Sequence, residues 1–292
     1  GGGDGAARGG GASWRVRRAG RAVSAGGDEG GGQRAWCAEG ASLGALVGRL
    51  SCGALLAAAL SRGRATPVAM GIALFISHYA PRRLASTLGY VVDLLAAIPS
   101  VVYGLWGSLV LPPVVVPVWS WLADTLGWFP LFAGPASPTG RVLLTVALVL
   151  AVMILPIITA VSREVFLQTP KLHEEAALAL GATRWEMIRT AVIPFGRSGV
   201  ISAAMLGLGR ALGETMAVLM ILSPGLLYSF KILQAGQQQT IAANIAADFP
   251  EANPLGVSAL IATGLALFVI TLLVNMGARA IVARRKDFSG AN

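Results

Sequence analysis

From about residue 65 onward the chain is a succession of long apolar runs separated by short polar clusters. Leu88–Leu111 carries one charge, Asp93, and a Pro99 that predicts a kink, because proline removes a helix hydrogen bond. Val142–Val161 and Leu255–Gly277 carry no charge, and Ser198–Leu222 carries Arg210 and Glu214. Each run reaches the roughly 20 residues needed to cross a hydrocarbon core. None shows the strict polar/apolar alternation of a lipid-facing barrel strand, so the runs predict spanning helices. Upstream the pattern weakens. Residues 41–60 are apolar but interrupted by Arg49, and Ser61-Arg62-Gly63-Arg64 separates them from Ala65–Ser77, so neither piece alone makes a full span. The first forty residues have no helical or strand period and read as a disordered basic tail. They lack the continuous apolar stretch of a secretory signal. The pattern therefore predicts an all-α integral membrane protein with four clear spans and one degraded N-terminal span. A Gly/Arg-rich segment, 1–64, precedes a transmembrane body, 65–292.

Composition agrees. The 292 residues are 55% hydrophobic and only 13% charged, against about 25% charged in an ordinary soluble chain. Two cysteines exclude a disulfide framework and the usual four-ligand zinc site. The net charge of +9 invites a nucleic-acid reading, but its distribution argues against one. Residues 1–64 hold nine arginines against four acids, leaving the body only about +4. Within the body the basic residues mark alternate loops: Arg82 and Arg83 in 78–87; Arg163, Lys171, Arg184, Arg189 and Arg197 in 162–197; Arg279, Arg284, Arg285 and Lys286 after 277. Lys and Arg accumulate on the cytoplasmic side of a membrane. These three segments are expected inside, and the Pro- and Trp-rich 112–140 and the 223–254 loop outside. Trp119, Trp121 and Trp128 fit an outer interfacial belt, and equally fit packing within that loop.

The inner loop 169–194 is patterned for two short helices. Thr169 suits an N-cap with Pro170 at the first helical position, and Gly181 suits a left-handed terminator. Thr183 and Glu186 have capping-box spacing for a second helix ending at Pro194. Leu172, Ala176 and Leu180 fall on one face of the first helix, and Trp185, Ile188 and Val192 on one face of the second. A short helix with an apolar face, held just below a membrane, suits docking into a partner's groove.

Inside the third span lies Gly207-Leu-Gly-Arg210-Ala-Leu-Gly213-Glu214-Thr-Met-Ala-Val218. An ionised side chain near mid-bilayer costs about 2.5–3.5 kcal/mol on insertion scales, so two of them need a reason. Four residues apart, Arg210 and Glu214 are expected on one helix face, where they can partner each other. Base-before-acid is the poorer order for a helix-stabilising pair. Two readings remain. Arg210 offers forked donors to a passing oxyanion while Glu214 holds and partly neutralises it, or the two form a buried pair that only fixes helix packing.

Glu175-Ala176-Ala177, followed by Gly181 and Val192-Ile193-Pro194, resembles the EAA loop of ABC importer permeases, whose coupling helix docks on an ATPase subunit. The usual Ile-x-Leu-Pro ending reads Ala191-Val-Ile-Pro194 here. Gly209-Arg-Ala-Leu-Gly-Glu-Thr-Met-Ala-Val218 resembles the signature of PstC-type permease subunits of phosphate-specific ABC importers, in which the Arg and Glu are implicated in phosphate passage. The resemblance runs from about Thr66 to Lys286 and includes Ala80-Pro-Arg-Arg83, Ala97-Ile-Pro-Ser-Val-Val-Tyr-Gly104 and Thr240-Ile-Ala-Ala-Asn-Ile245. It implies a MetI-like fold with six spans, an inner-membrane location with the C-terminus cytoplasmic, and Arg210 and Glu214 on the substrate pathway. Glu175, Ala176, Ala177 and Gly181 become the ATPase coupling loop. The implied partners are a PstA-type sister permease, two copies of an ABC ATPase and an extracytoplasmic phosphate-binding protein, in a lipid bilayer and without nucleic acid.

No phosphate-binding Gly-x-x-x-x-Gly-Lys-Ser/Thr loop occurs in the chain, so ATP chemistry is expected on a partner and no cofactor or metal is assigned. His78 and His173 lack ligand partners at metal spacing. Asp93 serves either the pathway or a capping, snorkelling role at the inner end of its span. Two other functions stay open: an ion-coupled secondary anion transporter, or a permease of the same family for another oxyanion. A non-transporting scaffold leaves Arg210 and Glu214 unexplained. Because the family places a first span and most of a second within residues 1–77, the segment up to about 64 is expected to be either non-native sequence, from a wrong start or a shifted frame, or a divergent basic N-terminus.

Overall fold

A computed structural model describes residues 43–132, 134–225 and 231–283, and every regular element among them is helical. Residues 1–42, including the expected disordered tail, lie outside the described residues.

The first helix, α1 (Leu43–Leu74), departs from the sequence expectation. Residues 43–64 do not separate from 65–77; one continuous helix of 32 residues crosses the expected boundary and ends in a π-helical turn at Phe75–Tyr79. The reason is a stripe of small and apolar residues at helical spacing: Leu46, Leu50, Ala54, Ala57, Ala58, Ser61, Ala65, Ala69 and Ala73 are all buried. Arg62 and Arg64 lie off this stripe, half-buried and exposed. Small side chains let helix backbones approach closely where no hydrophobic effect distinguishes lipid from protein. At 1.5 Å per residue α1 is about 48 Å long, more than the hydrocarbon core, so part of it projects beyond.

The run Leu88–Leu111 is also not one straight span. It begins earlier, as α2 (Arg82–Ala96), and resumes after Pro99 as α3 (Ser100–Leu109), bent by 84°. Pro99 lacks the N–H that would continue the helix, and a proline disfavours the helical region for the residue before it. Within the expected outer loop, α4 (Pro112–Leu126) is a helix opened by two prolines. Its Trp119 is buried and donates its indole N–H to Thr145 Oγ1 at 3.0 Å, a packing role, whereas Trp121 and Trp128 are exposed.

At the centre of the described residues is α5 (Leu143–Leu167), most of whose residues are buried. Next come α6 (Lys171–Ala179), α7 (Arg184–Met187), α8 (Ile193–Leu212), α9 (Met216–Ile221), α10 (Ile241–Asp248) and α11 (Pro254–Ala283). Helices α1 and α8 pack along α5. At Gly196 a Cβ would meet the Phe166 ring at 2.7 Å, at Gly199 the Val165 methyls at 2.5 Å, and at Gly207 the Ile158 side chain at 2.9 Å, so the α8–α5 contact requires glycine. By contrast α11 is largely exposed along its length. Among the described residues four helical stretches are long and apolar enough to cross a membrane, five if the bent pair α2–α3 counts as one.

The third expected span, Ser198–Leu222, is interrupted. Helix α8 stops at Leu212, residues 213–215 are non-helical, and α9 restarts at Met216. Arg210 and Glu214 therefore do not share a helix face, and no ion pair joins them.

Candidate functional site

Two regions combine the sequence's chemistry with an exposed geometry. The first is the inner loop. Helix α6 starts at Lys171 with Pro170, not Thr169, as its N-cap, and Thr169 is buried. It ends at Gly181, whose φ of +86° only glycine adopts without strain. Gly181 N–H donates to the Leu178 carbonyl at 2.9 Å and Ala182 N–H to that of Ala177 at 3.2 Å, the paired bonds of a Schellman terminator. The Thr183–Glu186 capping box forms: Glu186 N–H donates to Thr183 Oγ1 at 3.3 Å, and Thr183 N–H donates to Glu186 Oε2 at 2.7 Å. The second helix does not end at Pro194. A π-helical turn, Ile188–Val192, widens the backbone just before the proline, relieving the clash of its ring with the preceding turn, and α7 runs on into α8.

This loop is held to the body on one side only. Ala177 packs against the buried group Phe166, Met187, Ile188 and Val192. Glu174 Oε1 meets His78 Nε2 at 3.4 Å, and Ser77 Oγ fixes the other ring nitrogen at 2.7 Å. The opposite face of α6 is free: Leu172 and Leu180 are 75% and 89% exposed, and Glu175 and Ala176 are exposed beside them. So the Glu-Ala-Ala triplet divides. Glu175 and Ala176 point away from the body, and Ala177 anchors the helix to it. On the second helix Trp185 is exposed, but Ile188 and Val192 are buried, so that expected face splits between a surface and a core role.

The second region is a cleft of about 830 Å³ between α8, α11 and α5. Arg210 lines it with Ile157, Met205 and Leu206, and across the cleft stand Asn275 and Arg279 of α11. Glu214 is elsewhere. It is 8% exposed, does not line the cleft, and accepts the Ala217 N–H at 3.2 Å, capping α9 across the break. Thr215 Oγ1 donates to the Gly213 carbonyl at 3.2 Å within the same break.

This break adjoins the other one. Half-helix α9 packs on half-helix α3, where a Cβ at Gly104 would lie 2.9 Å from Ala217 Cα and one at Gly107 2.7 Å from Ile221 Cδ1. Tyr103 donates its hydroxyl to the Leu95 carbonyl at 3.0 Å, closing its own kink, and lies within electrostatic reach of Arg210. Asp93 is exposed one turn before that kink, not near the start of its helix. Paired discontinuous helices at membrane depth characterise transporter substrate sites, because irregular backbone is tolerated there only against protein or a polar cavity. Among the described residues no three His, Cys, Asp or Glu side chains converge as a metal site.

Sequence reasoning missed Asn275 and Arg279 as cleft residues. The signal was present: they are four residues apart, hence on one helix face, Asn275 at the end of the apolar run 255–277 and Arg279 just beyond it.

Residues 65–287 match the model of the family described as "Binding-protein-dependent transport system inner membrane component". The chain belongs to that family. Among its relatives, the phosphate transport system permease protein PstC 2 of Mycobacterium tuberculosis is 53% identical over 224 residues, covering 74% of this chain and 68% of the relative. PstC of Mycobacterium leprae is 51% identical over 225 residues, covering 76% and 70%. PstC of Haemophilus influenzae is 40% identical over 248, covering 82% and 76%. The fold is similar to the inward-facing MetNI methionine ABC transporter, with a TM-score of 0.59 at 16% identity, covering 82% of this chain and 95% of that one. This family member is a MetI-like, all-α, multi-pass membrane permease of an ABC importer. Such a permease works with an ATPase and a substrate-binding component.

Proposed function

We propose that this chain is the permease subunit through which an ATP-driven importer moves inorganic phosphate into a bacterial cell by alternating access. The observation that carries this reading is the 51–53% identity to PstC permeases, with Arg210 placed in a cleft and bound to no carboxylate among the described residues. Arg210 supplies a charged, planar set of donors matched to phosphate oxygens. Glu214 acts through the backbone: its carboxylate holds the 213–215 break open by capping α9, so that Arg210 ends a helix facing the cleft. Its negative charge also tempers the field there.

A PstA-type sister permease supplies the rest of the pathway lining, two copies of an ABC ATPase bind below the membrane, and an extracytoplasmic phosphate-binding protein delivers the anion. The positive loops 78–87 and 162–197 and the basic tail support a cytoplasmic C-terminus. On that topology the exposed Leu172, Glu175, Ala176 and Leu180 face the ATPase. Closure of the ATPase dimer then moves α6, and Ala177 and the His78–Glu174 contact pass that motion to α5 and α1.

Phosphate uptake into vesicles holding the complex, with and without the ATPase subunit and ATP, tests the proposal. Uptake should require both. Uptake that persists without ATP would favour an ion-coupled carrier, and uptake of sulfate in preference to phosphate would favour a permease for another oxyanion.

A further inference from the structure

Arg210 is one of two guanidinium groups on the same cleft, and the second has no task in the proposed mechanism. Arg279 lines the cleft from α11, with Asn275 one helical turn before it on the same face. Neither α8 nor α11 contains a single Asp or Glu, so both facing helices bring only positive charge and amides. Among the described residues the side chains of Arg279 and Asn275 make no hydrogen bond or ion pair. Ser202 also lines the cleft, but its hydroxyl is spent on the Ser198 carbonyl at 3.0 Å. Two cations sharing a cleft repel each other unless an anion sits between or beside them. The rest of the lining is apolar, which strengthens that repulsion and any compensating attraction.

We propose that Arg279 and Asn275 form a second phosphate station on the cytoplasmic side of Arg210, which takes the anion from Arg210 and passes it to the cytoplasm. This rests on the phosphate-permease reading above. In that topology α8 runs outward and α11 inward, so residues near 279 lie closer to the cytoplasm than Arg210. A guanidinium at each end lets phosphate leave one charge as it meets the next. No single site then has to bind so tightly that release becomes slow, the condition that multi-site conduction satisfies in channels. Asn275 adds a neutral amide donor for a further phosphate oxygen.

The competing role for Arg279 is that of an ordinary inner-side cation resting on lipid headgroups. Lysine would serve that role as well, since it snorkels to the interface equally well, but lysine cannot present a fork.

The test uses the reconstituted complex with Cys37→Ser and Cys52→Ser and a Ser202→Cys reporter in the cleft. In the nucleotide-free, inward-open state, inorganic phosphate should slow maleimide labelling of the reporter. Arg279→Gln should abolish this protection and lower ATP-driven phosphate uptake by about tenfold, the scale of one lost charge-assisted hydrogen bond. Arg279→Lys should assemble and insert normally yet recover uptake only in part. The inference is overturned if phosphate gives no protection in the parent complex, if Arg279→Gln keeps protection, or if Arg279→Lys restores uptake fully. Arg210→Gln separates the two levels: normal uptake in that variant sinks the pathway reading itself, whereas impaired uptake there beside normal uptake in Arg279→Gln sinks only the second station.

Discussion

Arg210 and Glu214 have different jobs in this structure, and substitutions should separate them. Arg210 is exposed in the cleft and its guanidinium donates to nothing among the described residues, so Arg210→Ala should abolish phosphate uptake while leaving the fold and assembly intact. Glu214 is buried and caps α9 through the Ala217 N–H. Loss of such a cap costs about 1 kcal/mol. Glu214→Ala should therefore abolish uptake and also lower the thermal midpoint of the purified complex, whereas Glu214→Gln, which keeps an oxygen acceptor, should restore the midpoint more than the transport. Equal midpoints for the Ala and Gln variants would show that the cap is not what Glu214 supplies. The sequence made both residues visible because charge inside an apolar run is costly. It hid their separation, since the only marks of the break are Gly213 and the capping carboxylate, and neither stops a helix as proline does.

Helix α6 shows how far local signals carry. Gly181, Thr183 and Glu186 specify the ends of the two short helices from their own side chains and backbone, and the structure realises the left-handed glycine and the capping box as read. Gly181→Ala at φ +86° should cost roughly 1–2 kcal/mol of local strain. It should reorient α6 and reduce co-purification of the ATPase subunit; undiminished co-purification would argue against α6 as the docking element. Other boundaries were illegible because they depend on packing. The buried stripe from Leu46 to Ala73 has helical period, but it is built largely of alanine, and Arg62 and Arg64 interrupt the apolar run without touching the buried face. Burial against α5 then decides the outcome for α1. Enlarging that contact tests it: Ala58→Phe, at a fully buried position, should overpack the α1–α5 interface and destabilise by about 1–3 kcal/mol. An unchanged midpoint would mean that residues 43–64 are not packed on the body.

The described helices are asymmetric, with a buried central α5 and an α11 that is largely uncovered. An isolated subunit thus leaves its cleft and its last helix uncovered, surfaces that the proposed sister permease would cover. The four-span count in the sequence came close to the described architecture for partly different reasons. The run at 88–111 proved to be a bent pair, and the two pieces read as one degraded span proved to be a continuous helix, Leu43–Leu74. Arg210 and its cleft tie these scales together, so the most direct measurement is ATP-driven phosphate uptake and ATP hydrolysis, measured side by side, in proteoliposomes holding the complete complex with and without Arg210→Ala. The account predicts that the substituted complex still assembles and hydrolyses ATP but accumulates no phosphate. Phosphate accumulation at the parent rate in Arg210→Ala, or in the parent complex without ATP, would contradict it.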